Sequence, residues 1–220
     1  MYEFVHHLPE SNSSLARMAV TASDAGYGSV VSRNHTDTTG GTDGGSNGVQ
    51  EIYDEEPALD DVDIYRGIEV RADSVNDLNS QVHSFSGEAE VVMVHGGDAE
   101  INVAASQSDD VDVVCHPCMK EEFNHVFIRN CAENDVAVEF NLRPVIRVSG
   151  GSRVRSLENI RKMLELVRKY ETSFIISCDP FGHLEIRGRR EVEAICRSIG
   201  FSDDELQMGM EEYPNKLLFG

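Results

Sequence analysis

The sequence predicts an α/β fold, a TIM-like barrel of about seven parallel strands with an additional terminal helix. A strand, a loop and a helix recur seven times, with crossovers long enough to demand parallel neighbours. Val91 to Val94 reads VVMV, apolar on both faces, as in a parallel strand covered by helices. No GxGxxG follows the first strand, and polar residues gather after nearly every strand. That is the pattern of a barrel's C-terminal rim rather than of an open dinucleotide-binding sheet.

Tyr2 to Val5 is the first strand. A helix follows from about Ser14, whose hydroxyl suits an N-cap, with Leu15, Met18, Ala19 and Ala22 as its inner stripe and Gly26 as its stop. Ser29 to Ser32 leads into Arg33, Asn34 and His35. Residues 36–57 are rich in Gly, Thr, Asp, Ser and Asn without an apolar anchor, so they are expected to be a flexible acidic loop inserted in a single domain spanning 1–220. Ile64 to Val70 is the third strand, and Ser74 caps a helix to about Phe85. Val91 to Val94 delivers His95, with a helix from Ala99 to about Ser106; Val111 to Cys115 delivers His116, with a helix from Phe123 to Asn134. Val136 to Phe140 is the sixth strand. Phe174 to Ser177 is the seventh and delivers Cys178 and Asp179; a helix from Arg189 to Ile199 and a last one after Ser202 complete the chain.

Between the sixth and seventh strands lies a basic helix in which Val154, Leu157, Ile160, Leu164 and Val167 recur at helical spacing. On its wet face Glu158 and Glu165 precede Lys162 and Lys169 by four residues each, so those cations have partners within the helix. Arg153 and Arg155 differ, because they fall in the first turn, where the macrodipole disfavours positive charge. Gly150, Gly151 and Ser152 can expose N–H groups beside them, and Arg143 and Arg147 lead into the same corner. The set describes an anion or phosphate site; an ordinary Gly-rich turn with solvated arginines has the same spacing.

Charge is the unusual number. The chain has 39 Asp plus Glu against 19 Lys plus Arg, a formal net charge of −20, and only four of its cations are lysine. Such a surface suits a protein kept soluble in very high salt. The stretch Arg143 to Arg190 nevertheless holds 11 of the 19 cations and only five acids. Five cysteines without framework spacing read as reduced thiols, and no stretch is apolar enough to span a membrane, so a cytoplasmic protein is expected.

In a barrel the residues after the strands converge: His6 and His7, Arg33 with Asn34 and His35, Glu69 with Arg71, His95, His116, Glu139, and Cys178 with Asp179. Histidines and carboxylates so arranged suggest a divalent-metal hydrolase. Against it, His6 and His7 fall on opposite faces of a strand and no H-x-H occurs; the alternative is a polar rim without metal. Cys115-His116-Pro117-Cys118 has the spacing of a dithiol redox site, but no helix N-terminus follows it closely to lower a thiol pKa.

The segments SRNH (Ser32 to His35), GIEVRAD (Gly67 to Asp73), VHGGD (Val94 to Asp98), HP (His116 to Pro117), FNHV (Phe123 to Val126), VEF (Val138 to Phe140), SGGSRVR (Ser149 to Arg155) and CDP (Cys178 to Pro180), in that order, resemble the ribonuclease P protein component 3 family, archaeal relatives of a eukaryotic nuclear ribonuclease P subunit. The resemblance implies a barrel akin to the polymerase and histidinol phosphatase family with its metal ligands largely lost. It implies a subunit of the ribonucleoprotein that removes the 5′ leader of precursor tRNA, in which the RNA carries the chemistry and requires Mg²⁺, while the protein has no catalytic residue, cofactor or metal of its own. The expected partners are the catalytic RNA, component 2, other protein subunits and precursor tRNA. Candidate contacts with RNA or a partner protein are Arg33, Asn34, Arg71, Arg143, Arg147, Gly150, Gly151, Arg153, Arg155, Arg187, Arg189 and Arg190. The Gly-rich run from Gly40 to Gly48 reads as an insertion relative to that pattern. The readings from other classes are a free-standing metal-dependent phosphoesterase and a redox protein.

Overall fold

Side-chain alternation along each strand decides which residues enter the barrel and which face the helices. The computed structural model describes residues 1–37, 59–118 and 123–220, so most of the 36–57 loop, including Gly40 to Gly48, lies outside the described residues. Among those described, one sheet runs β1 (Tyr2–Val5), β2 (Ser29–Ser32), β3 (Asp63–Tyr65). A second runs β4 (Gly67–Val70), β5 (Val91–His95), β6 (Val113–Cys115), β7 (Ala137–Asn141), β8 (Phe174–Ser177), and every paired neighbour is parallel.

The two sheets are arcs of one barrel. β3 lies along Ser29 to Val31 of β2, and β4 continues past the end of β2, where Glu69 N donates to Asn34 O at 3.1 Å and Thr36 N donates to Glu69 O at 3.1 Å. The single strand expected over Ile64 to Val70 is therefore interrupted at Arg66, and the eight strands fill seven positions. Gly67 permits the close approach at the break, since a Cβ there would stand 2.4 Å from the Ser32 carbonyl oxygen.

Helices α1 (Leu15–Asp24), α2 (Val75–Phe85), α3 (Ala99–Ala105), α4 (His125–Glu133), α5 (Arg143–Arg147), α6 (Gly150–Tyr170) and α7 (Arg189–Ile199) follow the strands. The chain then forms α8 (Asp203–Gln207), a π-helical turn (Met208–Glu212) and α9 (Tyr213–Phe219). Ser14 and Ser74 cap α1 and α2 by accepting from Arg17 N and Asp77 N. Leu15, Met18, Ala19 and Ala22 are buried as their spacing requires. In α6 the core contacts come from Ile160, Met163, Leu164 and Val167, whereas Val154, expected in that stripe, is 53% exposed. Residues 150–155 are all exposed, because the helix starts beyond the barrel rim.

Outward residues such as Ile68, Val92, Val94, Val114, Val138 and Ile176 form the main core beneath the helices. Inward residues Phe4, Val31, Val91, Met93, Val113, Ala137 and Ile175 fill the lower barrel, with Leu217 and Leu218 of α9 packed against them. The next inward positions along the same strands are polar, and they create the mouth.

β1 and β8 meet without a ladder. His6 N donates to Pro180 O at 3.2 Å, and the buried Glu3 carboxylate spans the gap, its Oε1 accepting from Phe4 N, Cys178 N and Ser177 Oγ at 3.1 Å each. Burial pushes Glu3 up to about 7, the three donors offsetting only part of that effect. An unfolded glutamate loses its proton near its ordinary value of 4.5, so the folded chain holds an extra proton between about 4.5 and 7 and loses stability as pH rises through that window. Glu3→Gln keeps the accepting oxygen and removes the charge. Denaturant titration should find it more stable than the parent above pH 7.5 by about 3 kcal/mol, with the difference vanishing below pH 4.5.

Candidate functional site at the barrel mouth and its basic rim

Period-two alternation selects the residues of the mouth. His6 turns inward, its Nε2 2.9 Å from Asp179 Oδ1, while His7 turns outward and pairs through Nε2 with Ser32 Oγ at 2.9 Å. Burial pushes His7 down to about 4, so its ring is neutral. His116 and Asp179 follow β6 and β8 with φ of 50° and 51°, a left-handed backbone uncommon outside glycine, and both side chains reach the mouth.

Arg33 stands at the centre with no exposed surface. Its Nε and Nη2 donate to Glu69 Oε2 at 2.9 and 2.6 Å, its Nη1 donates to Glu139 Oε1 at 2.5 Å, and Asp179 Oδ1 is 3.6 Å from Nη1. Burial by itself would raise the Glu69 and Asp179 carboxyls, but the guanidinium overrides it and holds both well below the usual carboxylate range. Asn141 Nδ2 donates to Asp179 Oδ2 at 3.0 Å, and His116 N donates to Glu139 Oε2 at 3.1 Å. The other Glu69 oxygen, Oε1, lies 2.6 Å from His95 Nδ1, 3.3 Å from His35 Nε2 and 3.4 Å from His116 Nε2.

Two contributors escaped the sequence reading: Glu10, which no predicted strand delivers, and Asn141, which follows the predicted sixth strand. Glu10 sits in the loop after His7; its Oε2 accepts from His35 N at 2.8 Å and meets His6 Nδ1 at 3.1 Å, and its Oε1 meets His35 Nδ1. Burial opposes the charge on His35, yet Glu10 and Glu69 push it up to about 9. Asn141 is the second. The i,i+4 spacing from His6 was the one available signal for Glu10. The dithiol reading fails: Cys115 is fully buried and its thiol pushed well up, and Cys118 Sγ packs 3.3 Å from Met163 Sδ.

Burial also corrects the candidate contacts. Arg33 is consumed inside the barrel, and Asn34 accepts from His7 N at 2.8 Å and donates to Leu8 O at 3.2 Å, so neither can reach RNA or a partner. Arg71, exposed, pairs with Asp37 at 3.1 Å, and its Nη2 lies 3.0 Å from His35 Nε2. Arg187 donates to the Leu184 and Ile186 carbonyls, Arg189 pairs with Glu193 and Glu211, and Arg190 is exposed on α7.

The remaining candidates gather beside the mouth. Arg143 and Arg147 of α5 and Arg155 of α6 line an open groove of about 460 Å³, floored by Pro117, Cys118, Pro144, Ile160 and Met163 and reaching back to His116 and Glu139. Glu185 fixes two of the arginines, at 2.5 Å from Arg143 Nη1 and 3.2 Å from Arg147 Nη1, and the Arg143 guanidinium lies 4.6 Å over the Phe181 ring. Arg155 makes a long bond to Ser152 Oγ, 3.3 Å. Arg153 instead folds back, Nε donating to Val148 O at 2.7 Å. Gly150 and Gly151 are exposed at the start of α6, where Ser149 provides no side-chain cap.

Fold and mouth together define a parallel α/β barrel in which a buried arginine neutralises the carboxylates of the mouth. It resembles a histidinol phosphate phosphatase from Lactococcus lactis, solved with zinc, L-histidinol and phosphate, at a TM-score of 0.56 and 12% identity over 91% of this chain and 94% of that one. The chain belongs to the RNase P subunit p30 family, whose profile matches residues 2–219. It is 40% identical over 214 residues to ribonuclease P protein component 3 of Haloarcula marismortui, covering 97% of this chain and 87% of the relative. Against the same component of Natronomonas pharaonis it is 37% identical, over 96% of this chain and 84% of the relative. A chain in a cryo-EM structure of archaeal ribonuclease P with mature tRNA superposes with a TM-score of 0.78 at 19% identity, covering 99% of this chain and 90% of that one.

Removing the guanidinium strands three buried carboxylates. Arg33→Met should cost about 3–5 kcal/mol at neutral pH. The deficit in chemical denaturation should shrink as pH falls and the carboxyls regain protons; a variant as stable as the parent at pH 7 would show that Arg33 does not hold the mouth.

Proposed function

We infer that this chain is a protein subunit of ribonuclease P, acting in the cytoplasm of a salt-adapted archaeon, and that it supports RNA-based removal of the 5′ leader from precursor tRNA. The family match across nearly the whole chain carries this reading. The ion cluster agrees with it, since carboxylates held by Arg33 are not free to serve as bases. In this reading the RNA and its Mg²⁺ perform the cleavage, and component 2 and other subunits complete the particle.

The arginine groove is the surface offered to RNA. At molar ionic strength the Debye length is about 3 Å, so a net charge of −20 scarcely repels a phosphate backbone and only contact-range bonds count. Guanidinium forks meet that condition because they bind phosphate bidentately. Arg147 and Arg155 provide them at the edge of an apolar floor on which an unpaired base can lie. Glu185 leaves part of each fork of Arg143 and Arg147 open while setting its direction.

Hydrogen bonds to charged groups contribute about 1.5–3 kcal/mol each. The Arg147→Ala, Arg155→Ala double variant should therefore lower kcat/KM of the reconstituted enzyme in molar KCl by at least about tenfold with an unchanged melting temperature. Lys162→Ala, exposed further along α6, should have little effect. Arg161 is unsuitable as a control because it donates to the Ser198 and Ile199 carbonyls at the end of α7. Equal losses in the groove variant and in Lys162→Ala would refute the assignment.

A further inference from the structure

We propose that the outer half of the barrel mouth binds one divalent transition ion of the zinc type through His35 Nε2, His95 Nδ1 and Glu69 Oε1, with a fourth position open to solvent. The site is additional to the groove and independent of it. A tetrahedral zinc centre with bonds of about 2.0–2.1 Å places its donor atoms roughly 3.3–3.4 Å apart. His35 Nε2 stands 3.2 Å from His95 Nδ1 and 3.3 Å from Glu69 Oε1. The third edge, His95 Nδ1 to Glu69 Oε1, is 2.6 Å, the spacing of two atoms that share a proton, and an ion replacing that proton widens it.

The surroundings of each ligand suit the role. The Glu10 carboxylate engages His35 Nδ1, which leaves Nε2 as the atom for a metal, an arrangement that metal-bound histidines commonly show. Glu69 is aimed by Arg33, which holds Oε2 and leaves Oε1 to the histidines. His95 is the ligand nearest solvent, its side chain 22% exposed, so the ion has an entry path. Arg71 Nη2 lies 3.0 Å from His35 Nε2 on a side chain 42% exposed, and it can withdraw into water when an ion arrives. His116 is not included, because Asn141 Nδ2 lies 2.9 Å from its Nδ1 and Arg33 Nη2 lies 3.2 Å from its Nε2.

Convergence of these residues was the sequence's argument for a metal, and the absence of an H-x-H was the argument against it. The ligands come instead from the ends of three adjacent strand positions: beyond β2, in β4 and at the end of β5. An ion there joins the two sheets at the seam where, among the described residues, backbone pairing is limited to the His35–Glu69 bridge. Its role is to fasten that seam, with Arg33 occupying the adjoining carboxylates.

The test uses the full chain, stripped with a chelator and titrated with Zn²⁺ and Co²⁺ in molar KCl. Expected are one ion per chain by calorimetry, the intense visible absorption of four-coordinate Co²⁺, and a rise of several degrees in melting temperature. His95→Gln should weaken binding at least tenfold. Arg71→Ala, which removes the competing donor without touching a ligand, should bind as tightly as the parent or more tightly. Cys118→Ser should bind as the parent does, excluding a thiolate site. Absence of stoichiometric binding, binding that survives His95→Gln, or loss of binding in Cys118→Ser overturns the proposal; if His95→Gln does not fold, weaker binding by Arg71→Ala does so.

Discussion

A single guanidinium buried among carboxylates from three parts of the barrel is the constraint to which the rest of the mouth conforms. Arg33 extends from β2, Glu69 belongs to β4, Glu139 to β7, and Asp179 follows β8. Ladders connect β4 through β8, but none joins β8 to β1, and β2 meets β4 through one bridge. The ion cluster therefore crosses the two places where backbone pairing is weakest. Burying four charges is costly, and Coulomb attraction in a dry interior compensates only when the geometry is close and every donor is used. Arg33 meets that condition at 2.5–2.9 Å.

The same cluster separates this chain from the hydrolases whose fold it shares. A carboxylate that neutralises a fixed internal cation is unavailable as a base. In the proposed reading the chemistry belongs to another component of the particle, and the protein's part is recognition. Its tools are on the rim, where α5 and the exposed start of α6 set three arginines around an apolar floor. In the proposed high-salt setting the acidic remainder of the surface is compatible with RNA contact, because salt screens it within a few ångströms.

Much of the fold was legible in the sequence. The αβ alternation, the caps at Ser14 and Ser74, the ends of Phe174 to Ser177 and of Arg189 to Ile199, and the convergence of His6, His35, Glu69, His95, His116, Glu139 and Asp179 follow from periodicity and from what ends each strand. The break at Arg66 comes from a close backbone approach at Gly67, a tertiary contact that the local pattern of Ile64 to Val70 does not reveal. Val154 has the right spacing for the core, but spacing cannot say where the core ends. Arg33 and Asn34 looked like surface contacts because polar residues after a strand belong to the rim. What inverted their role was partnership: Glu69 and Glu139 are 36 and 106 residues away in sequence, and no local pattern reveals such a pair. Glu10 was missed for the same reason.

In the proposed reading, RNA meets this protein at the arginine groove and not at the mouth or the acidic faces. Amide hydrogen exchange of the full chain, free and with ribonuclease P RNA in molar KCl, tests it most directly. Exchange should slow at residues 148–156, lining and flanking the groove, while the strand amides of β4 to β8 keep their free-chain rates. Slowing confined to α7 or to the turn at residues 107–112, with residues 148–156 unaffected, would contradict it.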